Sequence, residues 1–268
     1  MSVTGIDYEK CTGCRQCIVE CIAIRLDMDE EQEKVVFVNP ICSSCGHCIA
    51  VCPENAVLFK SMRDEPSTFE GVQDPSTLIS YETMYRFMRA KRSIRQYKKK
   101  KIPKEIMEKV IDTMRYAPTG SNLRTMRCLI ISDEEKIKTL SEAVQKELTK
   151  TFPEIYIKGL EVRRKRGRDP IFWNAPHIII LYSKTTTDYP NAIVALTYGM
   201  FAAQTLGLGT CWNGLSYSAM TENEEIRKDI AGVPGKVMGV MTIGYPSVKY
   251  FRAPPRPPLR IKGINELK

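Results

Sequence analysis

The stretch CTGCRQCIVEC at residues 11–21 is answered by CSSCGHCIAVCP at residues 42–53, and these two runs decide how the first part of the chain folds. Together they hold eight of the ten cysteines. Cys11, Cys14, Cys17 and Cys21 follow the spacing C-x2-C-x2-C-x3-C, and Cys42, Cys45, Cys48 and Cys52 repeat it, with Pro53 after the last. Disulfides are disfavoured, because the opening MSVTGIDYEKC has no basic start and apolar run to direct export, and a cytoplasmic setting keeps thiols reduced. Zinc would be satisfied by paired C-x2-C units without a third close cysteine. Three closely spaced thiolates suit three corners of an iron–sulfur cubane, and the fourth reaches to a second cubane. Neither run contains groups able to transform a substrate, so these cysteines are read as holders of electrons.

This part resembles a bacterial-type two-cluster ferredoxin over residues 3–60, including a short strand at Val35–Val38 and the closing NAVLF. The resemblance implies two 4Fe–4S clusters. Cys11, Cys14, Cys17 and Cys52 would hold one; Cys42, Cys45, Cys48 and Cys21 would hold the other. Ile22 stands where that family usually has proline. His47 lies inside the second run and is read as a loop residue, since the cysteines already complete the site.

The composition is that of a globular chain, with 268 residues, 43% hydrophobic and 26% charged. A formal charge of +9 suggests nucleic acid at first sight. Two four-thiolate clusters would remove about two units each, and a bound phosphate monoester about 1.5 to 2 more, which leaves a mildly basic protein and no nucleic-acid reading. Residues 189–221 carry no charge, but the helix expected over 191–206 would be only about 24 Å long. That is short of a ~30 Å hydrocarbon core, so a core or dimer-interface helix is expected, not a membrane span.

Residues 61–80, SMRDEPSTFEGVQDPSTLIS, have turn formers and no period and read as a linker between a domain over 1–60 and one over 81–268. In the second domain the pattern predicts a helix over 81–90. Pro103 opens another, with Ile106, Val110, Ile111 and Met114 on one face. Strands are predicted over 127–131, 178–182 and 237–243. Ser132 with Glu135, and Thr221 with Glu224, read as capping boxes that start helices. No G-x-G-x-x-G is present, which argues against a Rossmann domain.

Four stretches remain: KRSIRQY at 91–97, APTGSN at 117–122, GLGTCWNG at 207–214, and GYP at 244–246 with RPPL at 256–259. In that order and spacing, with the Ala175–Pro176 pair before an apolar strand, they resemble the FMN-dependent nitroreductase family over residues 80–268. The resemblance implies an α+β fold, a central sheet flanked by helices, in a homodimer with FMN at the interface. Arg92, Ser93 and Arg95 can offer guanidinium forks and a hydroxyl to a phosphate. Arg256 resembles the family's late phosphate-contacting arginine, with Arg252 and Lys249 as substitutes. Thr119, Ser121 and Asn122 would meet the ribityl chain and ring edge; Cys211, Trp212 and Asn213 would present amides near N5 and O4.

Gly207, Gly209 and Gly214 would let backbone approach a planar ring. The family commonly continues APTGSN with Gln-Pro-Trp, and Arg124, Thr125 and Met126 stand here instead. Cys211 and Cys128 are read as buried and inert, His177 as a core residue, and the Lys98–Lys101 run as a solvated turn. The basic segment Arg163–Arg168 is read as a solvated face or as a docking patch for an acidic donor or anionic substrate.

Joined in one chain, the two resemblances imply an oxidoreductase in which an external donor, reduced ferredoxin or NAD(P)H, feeds two clusters, then FMN, then a small acceptor such as a nitroaromatic, quinone or activated double bond. The protein would supply position and electrostatics while FMN carries the chemistry. A specialised flavoenzyme of the same fold, such as a dehalogenase or flavin-consuming enzyme, and a redox-sensing module without a small substrate are the other readings.

Overall fold

The structure is a computed structural model that describes residues 2–60, 66 and 74–264. Most of the expected linker, residues 61–65 and 67–73, therefore lies outside the described residues. The chain divides into two compact units, Met1–Leu78 with Pro118–Thr125, and Ile79–Ala117 with Met126–Lys268.

In the first unit, β1 (Ser2–Ile6) pairs antiparallel with β4 (Val57–Lys60), and β2 (Leu26–Asp29) with β3 (Lys34–Phe37). Two short helices, α1 (Gln16–Val19) and α2 (His47–Val51), pack on each other. Each starts after a left-handed residue, Arg15 at φ 62° and Gly46 at φ 79°. The buried cluster is small: Val3, Ile6, Leu26, Val35, Ile49 and Val57, completed by Cys17 and Cys48. A core this size stabilises a domain poorly on its own, and small scaffolds commonly add a metal site.

The second unit is built on an antiparallel sheet of order β5 (Arg127–Ile131), β6 (His177–Ser183), β8 (Lys236–Gly244), β7 (Gly209–Trp212). The run HIIILYS shows no alternation because β6 is covered on both faces. Ile178 and Ile180 enter one layer with α5 (Glu134–Leu148), α6 (Glu154–Lys165) and α8 (Gly214–Glu222). Ile179 and Leu181 enter the other, with α4 (Lys104–Met114) and α7 (Tyr189–Thr205). This is the α+β sheet-and-helix arrangement the sequence implied. On α4 the buried side chains are Met107, Val110 and Met114. No described helix is long and apolar enough to cross a membrane; α7 buries Ala192, Ala195, Leu196, Gly199 and Ala203 against the core.

Several expectations change in the structure. Asp133, not Ser132, caps α5 by accepting from the Lys136 N–H at 2.7 Å. Ser132 instead turns its hydroxyl to His177 Nδ1, 2.6 Å away. Thr221 lies within α8, and Asn223 caps the following turn by accepting from the Ile226 N–H. Helix α6 was not anticipated, although Pro153 stands at its start as Pro103 does at that of α4. Cys128 is exposed on β5.

Gly209 is demanded by packing within the protein: a Cβ there would lie 2.6 Å from Ile94 Cγ1. A Cβ on Gly214 would meet nothing within 4 Å. Gly209→Ala should therefore destabilise the protein by about 1–3 kcal/mol, by overpacking. Gly214→Ala should be far milder; urea unfolding of both variants measures the contrast.

His177 is buried, and its Nε2 accepts from the Ile102 N–H at 2.9 Å. Burial, helped by the nearby Lys101 charge, pulls its pKa from 6.5 down to about 4. The unfolded chain thus takes up this proton first, and the associated stability is lost as pH falls from about 6.5 towards about 4. His177→Asn should lose less stability between about pH 7 and about pH 5 than the parent does, as read by denaturant midpoints.

Candidate functional site

In the first unit the eight cysteines of the two runs separate into two sets. Cys11, Cys14, Cys17 and Cys52 line one cavity, and Cys21, Cys42, Cys45 and Cys48 line another. Each run therefore gives its fourth cysteine to the other run's cavity. Each cavity is small and is lined by four thiols, two of which, Cys17 and Cys48, are buried. The exchange of the fourth cysteine between the two runs is the pattern of a pair of 4Fe–4S clusters. Burial and the charges of neighbouring thiols raise Cys17, and raise Cys48 to about 11. Ligation requires thiolates, so cationic metal must offset that cost.

Backbone amides already favour the sulfurs. Arg25 N donates to Cys21 Sγ at 3.3 Å and Ala56 N to Cys52 Sγ at 3.2 Å, the same offset in both repeats. The residues just before these amides, Ile24 at φ 49° and Asn55 at φ 51°, take the left-handed conformation. Ser44 N reaches Cys42 Sγ at 3.4 Å.

The segment 118–125 belongs to this first unit. Ser121, Asn122 and Arg124 have positive φ, and Thr119 Oγ1 accepts from the Arg124 N–H. The Asn122 amide donates to the Ser43 and Ser44 carbonyls, at 3.2 and 2.7 Å, within the loop between Cys42 and Cys45. The Arg124 guanidinium folds back to the Asn122 carbonyl at 3.3 Å.

In the second unit, residues 91–97 run beside β7. Ser93 pairs in parallel with Thr210, and Ile94 N donates to the Thr210 carbonyl at 3.0 Å. Tyr97 closes the segment with hydrogen bonding at 2.8 Å to the Ile94 carbonyl and 2.9 Å to Thr242 Oγ1. Lys91 Nζ donates to the Arg92 carbonyl at 2.8 Å, and burial lowers its pKa. Arg92 donates to the Lys91 carbonyl, while its Nε, like the Thr210 hydroxyl, is buried with no partner among the described residues. Arg92, Thr210, Gly207, Gly209 and Lys249 line one cavity of about 310 Å³. Unpartnered donors beside two cationic side chains suit a phosphate.

The remaining expected residues fall as follows. Arg95 stacks over the Trp173 ring, 5.2 Å from its centroid. Arg256 is exposed and outside the Arg92 cavity, where Lys249 stands in its place. Cys211 is buried; burial raises its pKa, opposed by the Ser93 hydrogen bond and the Arg95 and Lys91 charges. A Cβ on Gly239 would strike the Trp212 ring, which packs into the core. Asn213 is spent on the fold: its side chain donates to the Ile171 carbonyl and caps α8 at the Ser216 N–H, and its N–H donates to the Val240 carbonyl. The lysine run and the basic segment, read separately in the sequence, meet at a second cavity of about 490 Å³ lined by Lys98–Lys101, Lys138, Arg164 and Arg168. Arg164 is anchored there on Gln145 and Ser141.

Sequence reasoning missed Thr210 and Lys91, whose importance comes from burial, and Trp173, which no motif marks. Arg25 was detectable by laying one cysteine repeat over the other.

Comparison with known proteins agrees with this layout. Residues 88–245 match the Nitroreductase family, and residues 4–76 match the 4Fe-4S dicluster domain. An iodotyrosine deiodinase from Thermotoga neapolitana is 29% identical over 134 residues, 47% of this chain and 71% of that protein. A crystal structure of a nitroreductase with bound FMN from Bacteroides fragilis superposes with a TM-score of 0.54 at 22% identity, covering 66% of this chain and 97% of that one. An oxidized iodotyrosine deiodinase bound to FMN and 3-iodo-L-tyrosine gives a TM-score of 0.53 at 19% identity, over 67% and 97%. With more than half of its length matched, the chain belongs to the nitroreductase family and carries an N-terminal 4Fe–4S dicluster domain.

Proposed function

We propose that the protein is an FMN-dependent oxidoreductase that receives electrons singly through two 4Fe–4S clusters and passes them to a small acceptor such as a nitroaromatic, a quinone or an activated double bond. The observation that carries this reading is the coexistence, in one chain, of two four-thiol cavities and a basic cavity with buried unpartnered donors. When bound, FMN supplies the link between one-electron carriers and two-electron chemistry.

The chain's own residues prepare that exchange. Arg92 Nε and the Thr210 hydroxyl would donate to the phosphate, and Lys249 would add charge. Pairing of residues 91–97 with β7 holds Arg92 in place. Arg95 and Lys91 raise the positive potential around buried Cys211, which favours an anionic group nearby. Asn213 acts by positioning β7 and α8, since its polar groups are all engaged. The cations around the second cavity would attract an acidic donor or an anionic substrate.

The protein is proposed to act as a homodimer. Tyr85 and Met88 of α3 (Tyr81–Ala90), Ile193 and Tyr198 of α7, and Phe251, Leu259 and Ile261 of the tail leave apolar surface exposed on the single chain. A reducing, cytoplasmic setting suits eight cysteines that must stay reduced to hold clusters.

A second reading, reductive removal of halide from a halogenated aromatic, is favoured by the similarity to the deiodinases. Turnover of halogenated phenols but not of nitroaromatics or quinones, in an anaerobic substrate panel, would select it.

The main test is anaerobic stopped-flow reduction by NADH, NADPH and reduced ferredoxin, with flavin and cluster absorbance followed separately. Cluster bands should bleach before the flavin, and a Cys14→Ser, Cys45→Ser double variant should slow flavin reduction strongly. Full-rate flavin reduction by a nicotinamide in that variant would reject the cluster route. Arg92→Gln should weaken FMN binding by roughly ten- to a hundredfold, the worth of a charged hydrogen bond, in a fluorescence titration of apoprotein.

A further inference from the structure

The two cysteine repeats make their thiol cavities nearly equivalent, so a charge present at one and missing at the other stands out. Cys21 and Cys52 hold matching positions, and the residue four places on donates its N–H to the sulfur in each case. At the cavity of Cys21, Cys42, Cys45 and Cys48 that residue is Arg25; at the cavity of Cys11, Cys14, Cys17 and Cys52 it is Ala56.

Arg25 is half-buried, and among the described residues its guanidinium donates only to backbone carbonyls, those of Val3, Asn39 and Pro40, while lying 4.7 Å over the Phe37 ring. Among the described residues its Nε is buried without an acceptor and no carboxylate pairs with it. The other charged group on this cavity, Glu20, is exposed. The Ala56 cavity is lined by exposed Glu54 and by Arg15, which is itself exposed and paired with Glu30 at 2.7 Å. An exposed, paired arginine is screened by solvent and by its partner; a half-buried, unpaired one is not.

Reduction adds one negative charge to a cluster, and its potential depends on nearby charge, hydrogen bonds to sulfur and exposure. We propose that Arg25 makes the Cys21, Cys42, Cys45 and Cys48 site the more easily reduced of the two, so that the first electron taken up by the chain rests there. This is also the site whose ligand loop is held by Asn122 through the Ser43 and Ser44 carbonyls. The inference rests on the proposed reading that both cavities hold 4Fe–4S clusters. Arg25 is a positioning and tuning residue in it, not a ligand.

The test uses the full chain, purified without oxygen, with iron and sulfide counted for every variant. About eight irons per chain are expected. A count well below that in the parent after anaerobic reconstitution rejects the two-cluster reading itself. Cys14→Ser and Cys45→Ser assign the two cluster signals in electron paramagnetic resonance. In a dithionite titration of the parent, the first electron equivalent should appear mainly in the signal that Cys45→Ser alters. Arg25→Gln should lower the midpoint of that signal and cut its share of the first electron several-fold, leaving the other midpoint in place. Arg25→Lys should restore most of the share, and Arg15→Gln should change neither midpoint. With eight irons present, an unmoved midpoint in Arg25→Gln overturns the proposal. If Arg25→Gln loses iron, the parent titration decides alone: a first electron found mainly on the Cys14 signal overturns it.

Discussion

Eight thiols gathered into two partly buried rings repel one another once ionised, and the first unit is organised around meeting that repulsion. Its apolar cluster is too small to hold the two short sheets and two short helices firmly, and two of its buried members are themselves cysteines. Metal bound within the rings would thus serve as the core as well as the redox centre. Local conformation contributes too. Left-handed residues ahead of the Arg25 and Ala56 amides accompany donors to sulfur in both repeats, so the loops lower the cost of the charged thiolate by the same device twice.

The second unit solves a different problem, that of holding a short charged segment against a sheet edge. β6 and β8 are buried on both faces and feed two separate helical layers, and β7 pairs with β8 from Gly209 opposite Gly244 to Trp212 opposite Met241. Once β7 is placed, the Thr210 carbonyl accepts from Ile94, Gly209 makes room for the Ile94 side chain, and Arg92 is left with a buried nitrogen that no described residue satisfies. An unpaired buried donor is costly until water or a ligand completes it, and here it stands beside Lys249 at a cavity. The sheet thus determines the cavity, and the cavity's chemistry points to an anion.

Arg25 and Arg15 show how one residue type can differ in effect. Both are arginines beside a cysteine cavity, yet one is exposed and answered by a carboxylate while the other is half-buried and answered only by carbonyls. Formal charge counts treat them alike. Dielectric surroundings separate them.

The amino-acid sequence by itself determined the cysteine spacing and most strands and helices, because those depend on residues close together in the chain, but not that residues 118–125, expected in the second domain, group with the first unit. Helix caps were misplaced by one or two residues, since Ser132 serves His177, a long-range partner that no local pattern reveals. Asn213 and Gly209 stood in a stretch whose family resemblance implied ligand contact, and the fold uses both in internal bonding and packing. Only the tertiary structure joined Lys98–Lys101 to Arg164 and Arg168, and Arg92 to Lys249. It also placed the Asn122 amide on the Ser43 and Ser44 carbonyls. The physical reason is common to all of these: burial and pairing are set by what arrives from distant parts of the chain, whereas propensity and spacing are written within a few residues.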